Sequence, residues 1–218
     1  MALTFLNSDT MNLTNMGIQG IQVWLQLWDN DTSKYATQLV DMGGVRDFTR
    51  DTAEDRNELK TARNGAEETV KVLSTSFSET ATFNTINNTD PVIAGLHEGN
   101  DALTGVIAGT QIIIRRPGSS WQCRVFVAYP GAAGTDSTLL FVPKAQIARN
   151  GETPSSGTEA AMRGFQLTFL SDDTYRVPAA VLASNDAAPY GVLGILEASA
   201  NPVADLKVLA EALLPATA

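Results

Sequence analysis

Residues 78–100, SETATFNTINNTDPVIAGLHEGN, pass from a two-residue alternation into a helical turn within a few positions. In the first half Ser78, Thr80, Thr82 and Asn84 share one parity, while Ala81 and Phe83 share the other. That alternation is a strand with one buried and one hydroxyl-rich face. Traced upstream as ETVKVLSTSFSETATFNTI, residues 68–86, it keeps its parity: Leu73, Phe77, Ala81 and Phe83 on the apolar side, interrupted by Lys71, Thr75, Glu79 and Thr85. At about 3.3 Å per residue the run would span roughly 60 Å, longer than an ordinary globular strand. Either a turn breaks it near Ser78, or it projects beyond the domain.

The second half is a helix with its stops written in. Thr89 or Asp90 can cap it, Pro91 suits its first position, and Gly99 can sit just past its end. Val92, Ile93 and Leu96 supply its inward face. The turn also carries His97, the only histidine of the chain. No second histidine exists to share a metal with it, and the adjacent Glu98 points to another side of the helix. His97 therefore reads as a surface or interface residue, and the stretch as a structural joint.

Composition sets the outer bounds. A chain of 218 residues with 44% hydrophobic content can bury a full core as one large domain or two small ones, and one is expected. The single Cys123 excludes an internal disulfide and a cysteine-based zinc site. The opening MALTFLNSDT lacks a basic region followed by a long apolar one, and nowhere do 18 apolar residues run together. A soluble, non-secreted protein is the expectation. Fifteen basic against 24 acidic residues give a net charge of −9. Such a surface does not hold phosphates by counterion release. It fits an ordinary soluble acidic protein, or one that lies near nucleic acid without adhering to it.

Most of the remaining chain reads as strands. In IQVWLQLW, residues 21–28, Ile21, Val23, Leu25 and Leu27 alternate with Gln22, Trp24, Gln26 and Trp28. A paired tryptophan face can be a sugar platform, although in one isolated strand it more often packs beneath a helix or a neighbouring subunit. Residues 43–64 form a charged loop or arm: Gly43 and Gly44 punctuate it, and nine charged residues fall between Arg46 and Lys60. Residues 54–63 have the propensity for a polar helix but no apolar stripe, so a polar loop ordered by a partner fits equally. TQIIIRR, residues 110–116, and WQCRVFVAY, residues 121–129, read as a hairpin joined by PGSS, with Cys123 as a small core residue. Pro143, within TLLFVPKAQIARNG, implies an edge strand or a bulge. Phe165, Leu167 and Phe169 alternate inward, and Asp172 and Asp173 belong to a turn. Residues 201–215 make a C-terminal helix with Val203, Leu206, Leu209, Ala210 and Leu213 on one stripe, stopped by Pro215. Nucleotide-binding and hydrolase motifs do not occur, and neither an enzymatic role nor a cofactor or metal is expected.

In this order the features resemble a known family. The charged arm ending ELKTARNG, the long alternating strand, the short helix, VFVAYPGA and LLFVPKAQIARNGETPSSGTEAAMRGFQLTFLSDD are similar to the major tail protein, or tail tube protein, of long-tailed bacteriophages. The likeness covers residues 43–173, and is weaker over the first 40 residues, which include an N-terminal arm of residues 1–20, and over the C-terminal helix after Val177. It implies a mainly β fold, a β-sandwich or half-barrel with a short flanking helix, and hexameric rings stacked into a tube through which DNA passes without specific binding. It also implies tape measure, tail terminator and baseplate proteins as partners. The location would be the virion, with the host cytoplasm during assembly and no membrane. Arg50, Asp51, Glu54, Asp55, Arg56, Glu58, Lys60 and Arg63 then become candidates for contact with the next ring. Asp90, Pro91, Val92, Ile93, Leu96 and His97 form a helix on the outer wall or at a subunit seam. The competing readings are a capsid decoration or carbohydrate-binding β-sandwich using Trp24 and Trp28, and a β-sandwich hydrolase dependent on His97.

Overall fold

A computed structural model describes residues 4–6, 20–63, 66–86, 90–105, 107–116, 118–153 and 162–215. The chain is mainly β. Its strands are β1 (Thr4–Leu6), β2 (Gln22–Asp29), β3 (Lys34–Tyr35), β4 (Gln38–Asp41), β5 (Val45–Arg63) and β6 (Ala66–Thr85). After helix α1 (Pro91–Glu98) come β7 (Ala102–Thr104), β8 (Gln111–Ile113), β9 (Ser120–Tyr129), β10 (Ser137–Thr153), β11 (Met162–Phe169) and β12 (Val192–Leu196), then helix α2 (Pro202–Leu213). One large sheet runs β1-β4-β2-β9-β10-β11-β6-β5, with β12 on β10 and β3 on β2. Its ladders are antiparallel except for β1 on β4.

The sheet curls because residues far apart in strand order share one core. Val23 and Leu25 of β2, Cys123, Val125 and Val127 of β9, and Phe165 and Leu167 of β11 pack together with Ala81 and Phe83 of β6. Between the curled ends, Met42 donates its N–H to Val23 O at 3.0 Å and accepts from Thr85 Oγ1 at 2.5 Å, while Ile86 N–H donates to Gly44 O. The chain between β4 and β5 thus ties β2 to β6, and a half-barrel results. Ile93 and Leu96 of α1 enter its core.

The opposite face of the central strands carries a second core. Trp24, Phe126, Ala128, Leu139 and Phe141 meet Leu206, Ala210 and Leu213 of α2, with Tyr175 and Val177 completing the layer. The stripe expected for the C-terminal helix is the one buried. Tyr175 Oη donates to the Leu213 carbonyl at 2.8 Å, satisfying one of the acceptors left over at the helix end. Its surroundings push the phenol up to about 12, burial first, with Arg124 opposing.

Pro143 lies at a bulge, and in the centre of the sheet rather than at its edge. The β10 register against β9 shifts between Val142 and Ala145. Before the shift β10 pairs with β12 over residues 137–141; after it, with β11 from residue 145 onward. The proline, which lacks a ladder donor, occupies the handover. The shift also exchanges parity: Leu140 and Val142 face the first core before it, Ala145 and Ile147 after it.

Three expectations about local structure change. Residues 45–63 are neither helix nor loop but strand β5, paired with β6 from Val45↔Thr85 to Arg63↔Ala66. The hydroxyl-rich strand offers a continuous ladder that polar residues join without needing a core. β8 pairs with β7 in a separate two-stranded sheet instead of forming a hairpin with β9. Thr110 closes that turn, donating to Ile107 O and accepting from Gly105 N–H on its carbonyl, and Arg116 N–H is held by Glu98 O. Finally His97, read as a surface or interface residue, is buried with Ile93, Ala94, Gly95 and Leu96 where α1 sinks into the half-barrel.

Candidate assembly surfaces

The long strand does not break at Ser78. β6 pairs with β11 only from Glu79 to Thr85, whereas its ladder with β5 continues to Ala66. Beyond the sheet, residues 66–78 of β6 and 53–63 of β5 form a two-stranded ribbon, roughly 40 Å long at strand rise. Register shifts at Asp55/Arg56 and Leu59/Lys60 add twist along it.

At the root of the ribbon the side chains are defined. Glu79 would be a costly buried carboxylate on the apolar parity of β6, but it is paired with Arg50 from β5. Asp51 and Glu54 are exposed. The remaining contact candidates, Asp55, Arg56, Glu58, Lys60 and Arg63, lie along the outer part of β5, and their side chains fall outside the described residues. The N-terminal arm places Thr4–Leu6 beside β4, and residues 7–19 fall outside the described residues.

Asp90, not Thr89, is the defined cap of α1: its Oδ1 accepts from Val92 N–H at 2.8 Å and Ile93 N–H at 3.1 Å. Thr89 lies outside the described residues. Pro91 and Val92 are half-buried, and Gly99 ends the helix in the left-handed region at φ 79°. His97 is not at the surface; it is 2% exposed and lies edge-on to Phe165. The helix turns it inward because its neighbours supply partners there. Its Nε2 is 2.9 Å from the Gly151 carbonyl, which can only accept, so this nitrogen carries the proton. Its Nδ1 lies 3.2 Å from Glu98 Oε1 and 3.3 Å from Arg163 Nη1.

Glu98 is the hub of this cluster. A carboxylate on the last turn of a helix faces the negative end of the dipole and needs compensation. Arg115 Nε reaches Glu98 Oε2 at 2.6 Å, Arg163 Nη1 reaches Oε1 at 3.4 Å, and Arg149 Nη1 lies 3.7 Å from Oε2. Burial pulls the Glu98 carboxyl upward, but Arg115 and His97 together outweigh it and hold the group below its ordinary value. The cluster clamps α1 to β10, β11 and the segment after β8. Residues 98, 115, 149 and 163 have no spacing that would announce it in sequence; the ladders bring them together.

A second polar group lies on the α2 side. The Arg124 guanidinium stacks over the Tyr35 ring at 3.8 Å and donates to Gln26 Oε1 at 3.1 Å, while Trp28 meets Tyr35 edge-on. Trp24 is wholly buried beside α2, so the two tryptophans do not form an exposed sugar platform. Asp41 is buried nearby, and desolvation raises its carboxyl despite the Gly43 N–H, Lys207 and Trp24. Cys123 is fully buried and its thiol is pushed up by burial, consistent with a core residue. Asp172 Oδ1 accepts from Thr174 N–H and Oγ1, the turn role read from sequence. Among the described residues no group of three or more His, Cys, Asp or Glu side chains could hold a metal ion, and no helix is long and apolar enough to cross a membrane.

No protein-family model matches the chain, and no curated protein matches it significantly.

Proposed function

We propose that this chain is a structural subunit that associates with copies of itself, as hexameric rings stacked into the tail tube of a long-tailed phage. The observation that carries the reading is the β5–β6 ribbon. Among the described residues no third strand pairs with the ribbon, and a two-stranded ribbon alone is marginal in water and gains stability by lying on another surface. Such a projection is the reach that a subunit needs to engage a neighbour, and head-to-tail contacts of that kind generate rings and filaments.

The residue chemistry fits a conduit. A net charge of −9 gives passing phosphates nothing to adhere to by counterion release. The hydroxyl-rich parity of β6 suits a wall in contact with water. Asp51 and Glu54 at the ribbon root, and Asp55, Arg56, Glu58, Lys60 and Arg63 along it, are the residues for inter-ring contact; Arg50 is engaged by Glu79 within the subunit. In this reading the protein is not an enzyme. It works within the virion, assembled in the host cytoplasm, with tape measure, terminator and baseplate proteins at its ends.

Electron microscopy of the concentrated protein tests the proposal. Hollow tubes with a regular axial repeat are expected; compact particles without a lumen at every concentration would overturn it.

A further inference from the structure

Ten large hydrophobic side chains are exposed among the described residues, and eight of them fall into two groups. The first is the outer face of the β7–β8 hairpin. Leu103 and Ile112 are cross-strand partners, hence on one face, and Ile114 continues it two residues on; they are 51%, 55% and 53% exposed, and Ile107 lies at the turn. α1 packs against this hairpin, so its apolar outer row is not an unburied core.

The second group lies where the concave face of the sheet runs on past its core. Leu193 pairs with Leu140 and Ile195 with Thr138, which places both on the side of the sheet that faces the first core. There the half-barrel has opened, and they are 60% and 68% exposed. Phe77, on the inward parity of β6, meets Tyr190 edge-on with ring centroids 5.3 Å apart and completes the row. On β12 itself Val192 and Leu196, of the other parity, pack toward α2.

We infer that these two faces are the two halves of one contact between copies of the chain: the β7–β8 hairpin of one copy seats on the Phe77–Tyr190–Leu193–Ile195 face of the next. The inference rests on the self-assembly proposed above and names the surfaces that carry it. Charge selects the occupant. Copies bearing −9 each repel except where opposite charges meet. The hairpin is followed closely by the exposed Arg116, while the concave face ends in the exposed Glu197, of the same parity as Leu193 and Ile195. Two different faces on one molecule, each matching the other, make a heterologous contact that propagates.

The test is a mixing experiment on the full chain by sedimentation velocity, with Ile112→Asp on one face and Ile195→Asp on the other, so that the two altered faces repel each other. Both positions are exposed, so the folded monomer is retained; Leu103→Asp and Leu193→Asp serve as a second pair, with far-ultraviolet circular dichroism as the fold control. The wild-type protein should self-associate, and each single variant should do so about a hundredfold more weakly, because a charge buried in an apolar contact is costly. An equimolar mixture of the two variants should give a dimer and nothing larger, since one intact pair of faces remains between them. Unaltered assembly of either variant alone, a mixture that stays monomeric, or a wild-type chain that does not associate would overturn the inference. Tubes formed by the single variants would remove this interface while leaving the tube proposal standing. Heterodimers from the mixture with no hollow tubes from the wild type would do the reverse.

Discussion

Glu98 and Asp41 show how the same residue type takes opposite roles by environment. Glu98 lies below its ordinary value of 4.5, because Arg115 and His97 outweigh burial. The folded state therefore gains stability above that value and loses it as pH falls through the lowered one. Glu98→Gln should cost about 1–2 kcal/mol near neutrality, a figure reduced by the exposure of Arg115. The deficit should shrink below pH 4.5, as urea titrations across pH would reveal. Asp41 is raised above its ordinary 3.8, so its contribution is greatest below that value and declines as pH rises through the raised one. Asp41→Asn should consequently be about 1 kcal/mol more stable than wild type at pH 7 and no more stable at pH 3. A less stable variant at pH 7 would mean that Lys207 and the Gly43 N–H more than offset burial. Neither role was legible in sequence: His97 read as a surface or interface residue because its partners Gly151 and Arg163, like the Arg149 and Arg163 that reach Glu98, arrive from β10 and β11 by pairing and not by proximity in the chain.

Elements with a marked period were legible. The alternation of β2 and β11 and the stripe of α2 appear with the expected residues inward, and on β6 Ala81 and Phe83 are inward while Phe77, expected with them, is exposed and the side chain of Leu73 lies outside the described residues. Leu206→Ala, beneath the Trp24 and Phe126 layer, should destabilise by about 2–5 kcal/mol in chemical unfolding; a loss under 1 kcal/mol would mean that α2 is only loosely applied. What failed was partner choice. β5 has no apolar period, so its residues alone did not distinguish loop, helix or strand; only the matching length of β6 makes it a strand. β8, a run of β-branched residues read as the hairpin partner of residues 121–129, pairs instead with three residues of β7 and leaves Ile112 and Ile114 in solvent. At Gly191, φ 107°, a Cβ would overlap the Phe141 carbonyl; Gly191→Ala should detach β12 and lower stability by at least about 1–3 kcal/mol.

On the scale of the whole molecule, a closed core and a projecting ribbon divide the labour. Among the described residues the half-barrel is held by two cores and by the Met42–Thr85 tie. Folding and assembly should therefore be separable. Replacing residues 56–75 by Asn-Gly joins Asp55 to Ser76, which are cross-strand partners, through a two-residue hairpin turn and leaves Phe77 in place. Electron microscopy of this shortened chain beside the full one is the decisive comparison. Hollow tubes of regular repeat from the full chain, and folded subunits that form no tubes from the shortened one, are the expected result; tubes formed equally well without the ribbon would contradict it.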